Sequence, residues 1–315
     1  MSEERKQSID YLAYFWPKNA PAPDLWGDFL YEIMFAQEQG ILVIFRENEG
    51  IFVDGSNNPI NISGKKVLGR AGHADMLITK ILEAGGLSLC AVGDAEKTRS
   101  WYKSIDVGRN VRKLTFKEVL DSAKDYQEWS QIFVKTVEKS KIAGVCELIE
   151  GEWFYKDKEQ HLSEVNMGTP PIFRYPEPTE RMLVSDVVDI AIDGNGQKLE
   201  WRGLVVNNEL ISVNVYNNFM EYQICDDKSV QGFFKEFVEK YKGLIPPSYC
   251  LDVMELAYSD DRFAVTELNS LSGTGSVTCI LMGLPMNSIA EFRKQYDRLL
   301  LSRRFNLIFK VEEDE

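Results

Sequence analysis

Apolar residues along this chain change their spacing several times, and each spacing points to an element. "YLAYFWP" is an apolar run of strand length, and "ILVIF" is a second run, apolar throughout, of the kind buried on both faces of a sheet. Between them, "DLWGDFLYEIMFAQEQG" carries apolar residues at helical spacing and ends on Gly40, suited to the left-handed turn that closes a helix. A hairpin-like "GIFVDGSNNPINI", a strand at "KKVLGR", a helix at "ADMLITKILEAGG" and a short strand "LSLCAV" follow. This order predicts a small α/β unit with parallel strands.

The pattern changes at "SQIFVKTVEKSKIAG", where Ile132 and Val134 face away from Phe133 and Lys135 before small and charged residues break the strand. The proline-containing stretch "MGTPPIFRYPEPTER", within residues 166–181, reads as a linker or extended loop that would cover a site or dock a partner. Next come "RMLVSDVVDIAI" and "LEWRGLVVNNELISVNVY", the latter folding back as a hairpin at Asn207-Asn208. A helix at "DKSVQGFFKEFVEKYKG" leads into "YCLDVMELAYSDDRFAVTEL", a hairpin turning at Asp260-Asp261. "SIAEFRKQYDRLLLSRR" is helical, and "VEEDE" is a solvated tail. The expected division is an N-terminal α/β domain over 1–130, a second domain over 131–301, and a C-terminal strand and tail over 302–315.

Composition narrows the chemistry. Among 315 residues, 49 Asp and Glu outnumber 36 Lys and Arg, and a net charge of -13 works against broad attraction to a phosphate backbone. Five cysteines stand with no CxxC spacing and in odd number, which argues against a zinc site or a disulfide framework and for a reducing cytoplasm. Two histidines are too few for a histidine-based triad or metal cluster. The N-terminal "MSEERKQSIDYLAYFW" has neither the form of a signal peptide nor that of a membrane span.

Candidate chemistry gathers at "RFAVTELNSLSGTG". Strand alternation puts Glu267 and Asn269 on one side, and a hairpin turning at Asp260-Asp261 can bring Asp252 to the same end, although sequence does not fix that register. Two carboxylates and an amide oxygen are hard ligands suited to Mg²⁺. In "KLEWRGLVV", Glu200 and Arg202 share a strand face opposite Trp201, so Arg202 either projects a phosphate-binding fork into the site or pairs with Glu200. Lys135 ends an apolar strand before a loop carrying Lys139 and Lys141; a strand lysine suits inner phosphates and a loop lysine the terminal one. Neither GxxxxGK[ST] nor GxGxxG occurs.

Taken in order, Lys135 with Lys139 and Lys141, then "EWRGLVVNNELISVNVY", "LDVMEL" and "VTELNSLSGTG" resemble an ATP-grasp protein, in the clade named for one arginine and two lysines. The resemblance implies an N-terminal α/β domain followed by an ATP-grasp domain of two α+β subdomains that hold a nucleotide between them. It implies ATP and Mg²⁺, with Lys135 on the α/β-phosphates and Lys141 or Lys139 on the γ-phosphate. Arg202 would bind phosphate or an acyl phosphate, with Glu200 in the same nucleotide-binding set, and Asp252, Glu267 and Asn269 would hold the metal. Leu183 and Val184 would offer hinge backbone to adenine, with Asp186 or Asp189 on the ribose. Ser270, Ser272, Gly273 and Gly275 would let substrate approach, or would simply form a turn; Arg70 matches an arginine position of the clade or serves in a salt bridge. The implied activity is ATP-dependent joining of a carboxylate to an amine, on an amino acid, a peptide or a protein terminus. A nucleotide-binding assembly factor and an ATP-dependent phosphotransferase are the alternatives.

Overall fold

The computed structural model describes residues 9–16, 30–70, 73–100, 103, 105, 108–122, 130–137, 143–156, 160–162, 177–215, 225–258 and 262–273. The chain falls into two compact parts. The first holds the described residues up to 100 with those of 193–254 and from 266 on, and the second those of 103–192 and 255–265.

The first part begins with β1 (Tyr11–Trp16), α1 (Leu30–Glu38), β2 (Leu42–Arg46), β3 (Ile51–Asp54), β4 (Lys66–Gly69), α2 (Ala74–Glu83), β5 (Leu87–Ser88) and α3 (Asp94–Arg99). The strands order as β3-β2-β1-β4-β5; β1 runs parallel to β2 and β4, β5 parallel to β4, and β3 antiparallel to β2. The continuous apolar runs have a physical reason, since each face of the sheet has its own core. Leu12, Tyr14, Leu42, Ile44 and Leu68 enter one cluster with Ile33 and Ala36 of α1, while Ala13, Phe15, Val43, Phe45 and Val67 enter another with Leu77 and Ile81 of α2. Helix α1 closes at Gly40 in the left-handed region, with Ile41 N–H donating to Ala36 O and Gly40 N–H to Gln37 O.

In the second part are β6 (Val111–Thr115), α4 (Phe116–Asp121), β7 (Gln131–Thr136), β8 (Ala143–Ile149), β9 (Glu152–Tyr155), β10 (Gln160–His161) and β11 (Arg181–Asp186), in a sheet ordered β10-β9-β8-β7-β11-β6 with antiparallel neighbours. Its core face carries Ile132, Val134, Cys146, Trp153, Met182 and Val184, covered by Phe116 and Val119 of α4. Gly144 leaves room for the Tyr155 ring, whose hydroxyl donates to Ala143 O; a Cβ at 144 would force that side chain to shift. Strand β6 lies before the boundary expected at residue 130, yet its ladder partner is β11, so this sheet starts earlier in the chain than the sequence pattern indicated.

Returning to the first part, β12 (Glu200–Val206) and β13 (Glu209–Val215) join through a two-residue turn whose Asn207 and Asn208 both have positive φ, the conformation that matches strand twist. Helix α5 (Lys228–Tyr241) starts at Asp227, whose carboxylate accepts the Ser229 N–H, and it buries Val230, Phe234, Phe237, Val238 and Tyr241 along one stripe. Strands β14 (Tyr249–Glu255) and β15 (Phe263–Ser270) complete a sheet ordered β13-β12-β14-β15, followed by a 3-10 turn at Leu271–Gly273. Phe234 lies so close to this sheet at Gly203 that a Cβ there would meet the ring at 2.3 Å. From the strands' other face, Leu204, Val206 and Cys250, with Leu271 of the turn, pack into the cluster that holds Leu12, Ile33 and Leu68. Among the described residues no helix is long and apolar enough to cross a membrane.

Candidate nucleotide and metal site

The face of β12 that carries Leu204 and Val206 changes character toward the start of the strand, where Arg202 stands. Register places Arg202 directly opposite Asp252 of β14 on one side and Asn214 of β13 on the other. Arg202 Nε donates to Asp252 Oδ1 and an Nη to Oδ2, both at 2.7 Å, which is the parallel two-bond fork a guanidinium makes with a carboxylate. Asn269 of β15 donates from Nδ2 to Asp252 Oδ2 at 3.3 Å, and Asn214 Nδ2 donates to the Ser212 hydroxyl at 3.0 Å. All five side chains belong to buried residues. A polar row therefore crosses the four strands in the order Asn214, Arg202, Asp252, Asn269. Burying this pair costs desolvation of both ions, so the fork and the amide bond are what make it tolerable.

Glu200 lies two residues from Arg202 on the same face and is half-buried. Arg202 turns its fork to Asp252, so the Glu200–Arg202 pair considered from sequence is replaced by an Arg202–Asp252 pair. Cross-strand register decides this, because Asp252 is directly opposite whereas Glu200 is a neighbour along the strand. Burial pushes the Glu200 carboxyl pKa up; Lys198 opposes, Asp252 adds to the rise, and Arg202 opposes.

Sequence comparison decides the family. A family model for an ATP-grasp domain, family 2 of the clade named for one arginine and two lysines, matches residues 107–280, more than half of the chain. The chain belongs to this ATP-grasp family. No curated protein matches it. Among solved structures it is similar to a D-alanyl-alanine synthetase A from Vibrio cholerae, at 12% identity over 94% of this chain and 100% of that one, with a TM-score of 0.50. A D-alanine–D-alanine ligase from Bacillus anthracis, complexed with ATP, is similar at 10% identity over 93% and 99%, also with a TM-score of 0.50. At these identities the likeness concerns the fold, and it is that of ATP-grasp proteins.

The ATP-grasp site residues expected from the sequence divide between the two parts. In the first are Arg202, Glu200, Asp252, Glu267 and Asn269. Asp252 and Asn269 are in contact, and Glu267, half-buried, shares the Asn269 side of β15 by alternation. Among the described residues no three His, Cys, Asp or Glu side chains gather as a metal cluster. The donors fit Mg²⁺: Asp252 Oδ2 accepts from both Arg202 and Asn269, but Oδ1 accepts from Arg202 alone and keeps a lone pair that suits a hard cation.

Lys135, Leu183, Val184, Asp186 and Asp189 belong to the second part. Lys135 lies opposite Leu183, which in turn lies opposite Lys113 of β6, on the sheet face away from the apolar cluster. Leu183 and Val184, expected beside adenine, lie in β11, which is paired with β6 on one edge and β7 on the other. The ladder ends at Asp186, and Val187-Val188 run beyond it. Asp186 Oδ2 accepts both the backbone and the side-chain N–H of Asn110, at 3.1 and 2.9 Å, an anchoring duty at the end of β11. Asp189 is exposed, and its carbonyl accepts the Ala257 N–H. Lys139, Lys141, Gly275 and the turn at Asp260-Asp261 lie outside the described residues, as do residues 166–176 of the proline-containing loop.

Asn214, Ser212 and Lys113 were not picked out from the sequence. The first two had a signal in "ISVNVY", where polar residues alternate with apolar ones on a strand whose neighbour bears Arg202. Ser270 and Ser272 hydroxyls lie 2.6 Å apart, and Ser272 N–H donates to Ser270 Oγ, so these serines shape the turn after Asn269.

Proposed function

We propose that this ATP-grasp protein joins a carboxylate to an amine, using ATP and passing through an acyl phosphate. The observation that carries the reading is the buried Arg202–Asp252–Asn269 row, which combines a fixed cation with hard oxygen donors at the polar end of a sheet. Fixed charges of this kind act where negative charge develops, and in a water-poor site they need no reorganisation during the reaction.

A substrate carboxylate oxygen attacks the γ-phosphorus, and ADP departs with the electron pair of the broken bond. Arg202 neutralises charge on the transferred phosphoryl oxygens. The amine then bonds to the acyl carbon, and phosphate leaves. Asp252, Glu267 and Asn269 are the residues to hold Mg²⁺, which when bound supplies positive charge to the phosphate oxygens. Lys135 is the residue for the α/β-phosphates, Lys141 or Lys139 that for the γ-phosphate, Glu200 a further member of the nucleotide-binding set, Leu183 and Val184 the residues beside adenine, and Asp186 or Asp189 a ribose contact. No side-chain nucleophile is needed, which suits a chain with two histidines: His73 packs on Phe15 and His161 lies near Glu152. The acceptor is a small or basic amine on an amino acid, peptide or protein terminus, since a charge of -13 favours such partners, and the reaction belongs in the cytoplasm.

The test supplies ATP, Mg²⁺ and hydroxylamine with a panel of amino acids and short peptides, and follows ADP and hydroxamate together. Both products rising with one carboxylate support the ligase. ADP rising with phosphate transferred to a hydroxyl makes the protein a phosphotransferase, and no ADP with any member of the panel contradicts turnover altogether.

A further inference from the structure

Arg70 follows β4 and is 1% exposed, so a permanent charge lies in the interior of the first part. Its Nε and one Nη donate to the two oxygens of Glu32 on α1, at 2.6 and 2.9 Å, and Tyr14 of β1 donates its hydroxyl to the same carboxylate. Burial alone would lower the guanidinium pKa; Glu32 beside it, with Tyr14, more than offsets that, and the group stays charged. The remaining Nη donates to the main-chain oxygen of Leu271. This last bond spans far along the sequence and ends two residues beyond Asn269.

Stability does not account for such an arrangement. Replacing a buried ion pair by apolar side chains of similar volume is often neutral or stabilising, and the surrounding cluster, with Leu12, Ile33 and Leu68, is already apolar. What an apolar side chain would not provide is a donor for the Leu271 carbonyl. The turn that carries this carbonyl is held at three points: the Leu271 side chain in the core, the Ser270–Ser272 hydroxyl contact, and the Arg70 bond. The Leu271 carbonyl and the Ser272 N–H belong to one peptide group: its N–H donates to Ser270 Oγ at 3.3 Å within the turn, and its oxygen accepts from Arg70, the bond that ties the group to β4; the preceding strand end carries Asn269 and Glu267.

We infer that Arg70 is a positioning residue for the metal end of the site: by holding the Leu271 carbonyl it sets the exit of β15 and hence the aim of the Asn269 side chain. The inference rests on the assignment of Asn269 to Mg²⁺. Residues that orient metal ligands without touching the ion commonly matter ~10–100-fold to metal affinity. Lysine at position 70 keeps a cation beside Glu32 but has no planar fork to serve Glu32 and Leu271 together.

The experiment measures ATP binding to the full chain by calorimetry with and without Mg²⁺, in the wild type, Arg70→Lys and Tyr14→Phe, with thermal melts of each. Tyr14→Phe removes a hydrogen bond from the same buried cluster without touching Leu271, so it reports the effect of weakening the core. The expected result is that the Mg²⁺-dependent gain in ATP affinity falls ~10-fold in Arg70→Lys, while ATP affinity without Mg²⁺ is unchanged and Tyr14→Phe keeps the full gain. If Arg70→Lys does not fold, Glu32→Gln, which loosens the guanidinium but leaves an acceptor, should lower the gain several-fold in the same direction. Equal gains in the wild type and the folded variant would overturn the positioning role while leaving the ligase reading intact. A wild type with no Mg²⁺-dependent gain would overturn both.

Discussion

Two buried arginine–carboxylate pairs lie in the same compact part of this protein, and they differ in what surrounds them. Arg70 and Glu32 sit among apolar side chains, and every further bond described for the pair goes to the protein itself, to Tyr14 and to the Leu271 carbonyl. Arg202 and Asp252 make the same fork, but their neighbours are buried Asn214 and Asn269 and a half-buried Glu200, at the polar end of a strand face. Side-chain chemistry is nearly identical in the two pairs. The difference teaches that environment decides what such a pair does. The Arg70 pair bonds a main-chain oxygen across the fold, whereas the Arg202 pair lies in a row of polar side chains.

The sharpest way to break this contrast is to remove one carboxylate from the sealed pair. Glu32→Ala leaves the Arg70 charge buried without its partner and should cost ~3–5 kcal/mol of stability, seen as an earlier midpoint in urea; a loss below ~1 kcal/mol would mean water already reaches the pair. Arg202→Lys should lower turnover ~100–1000-fold, because an ammonium cannot reproduce the fork, and should lower the melt as well, since Asp252 stays buried with a bond fewer. A variant turning over at the wild-type rate would remove Arg202 from the chemistry. Smaller again, Gly203→Ala drives a methyl group into Phe234 on the face opposite Arg202 and should cost ~1–3 kcal/mol, lowering stability with little change in ATP affinity. At the low end are the thiols. Burial pushes Cys90 and Cys146 up to about 12, so neither should be alkylated in the native protein at pH 8, whereas both react after unfolding. The sign follows: their folded pKa values lie above the unfolded ones, so their contribution to stability is complete below pH ~8.5 and is lost as pH rises toward 12.

Strong periodicity made the first sheet, the Asn207-Asn208 hairpin and helix α5 readable from the amino acids alone, because both sheet faces and one helix stripe must bury apolar groups. Strand β6 was missed, since "VRKLT" is an edge strand with charged residues and gives no alternation. Its neighbour α4 did leave a mark in "TFKE", where Thr115 and Glu118 form a reciprocal capping box. Within the site, residue types and spacing pointed to Asp252 and Asn269, and the structure brings these two together. Sequence could not reveal the partner of Arg202, which depends on the pairing of strands fifty residues apart, nor the pairing of β11 on both edges, where Leu183 and Val184 lie. Whether Arg70 was a salt-bridge residue or a site residue was equally undecided, because its partners come from α1, β1 and the last turn.

ATP titration by calorimetry, with and without Mg²⁺, tests the central claim most directly when run on the wild type, Lys135→Ala and Asp252→Asn. The account predicts that the wild type binds ATP more tightly with Mg²⁺, that Lys135→Ala weakens binding in both conditions, and that Asp252→Asn loses only the gain from Mg²⁺. A wild type that binds no ATP, or an Asp252→Asn variant that keeps the full Mg²⁺ gain, would contradict it.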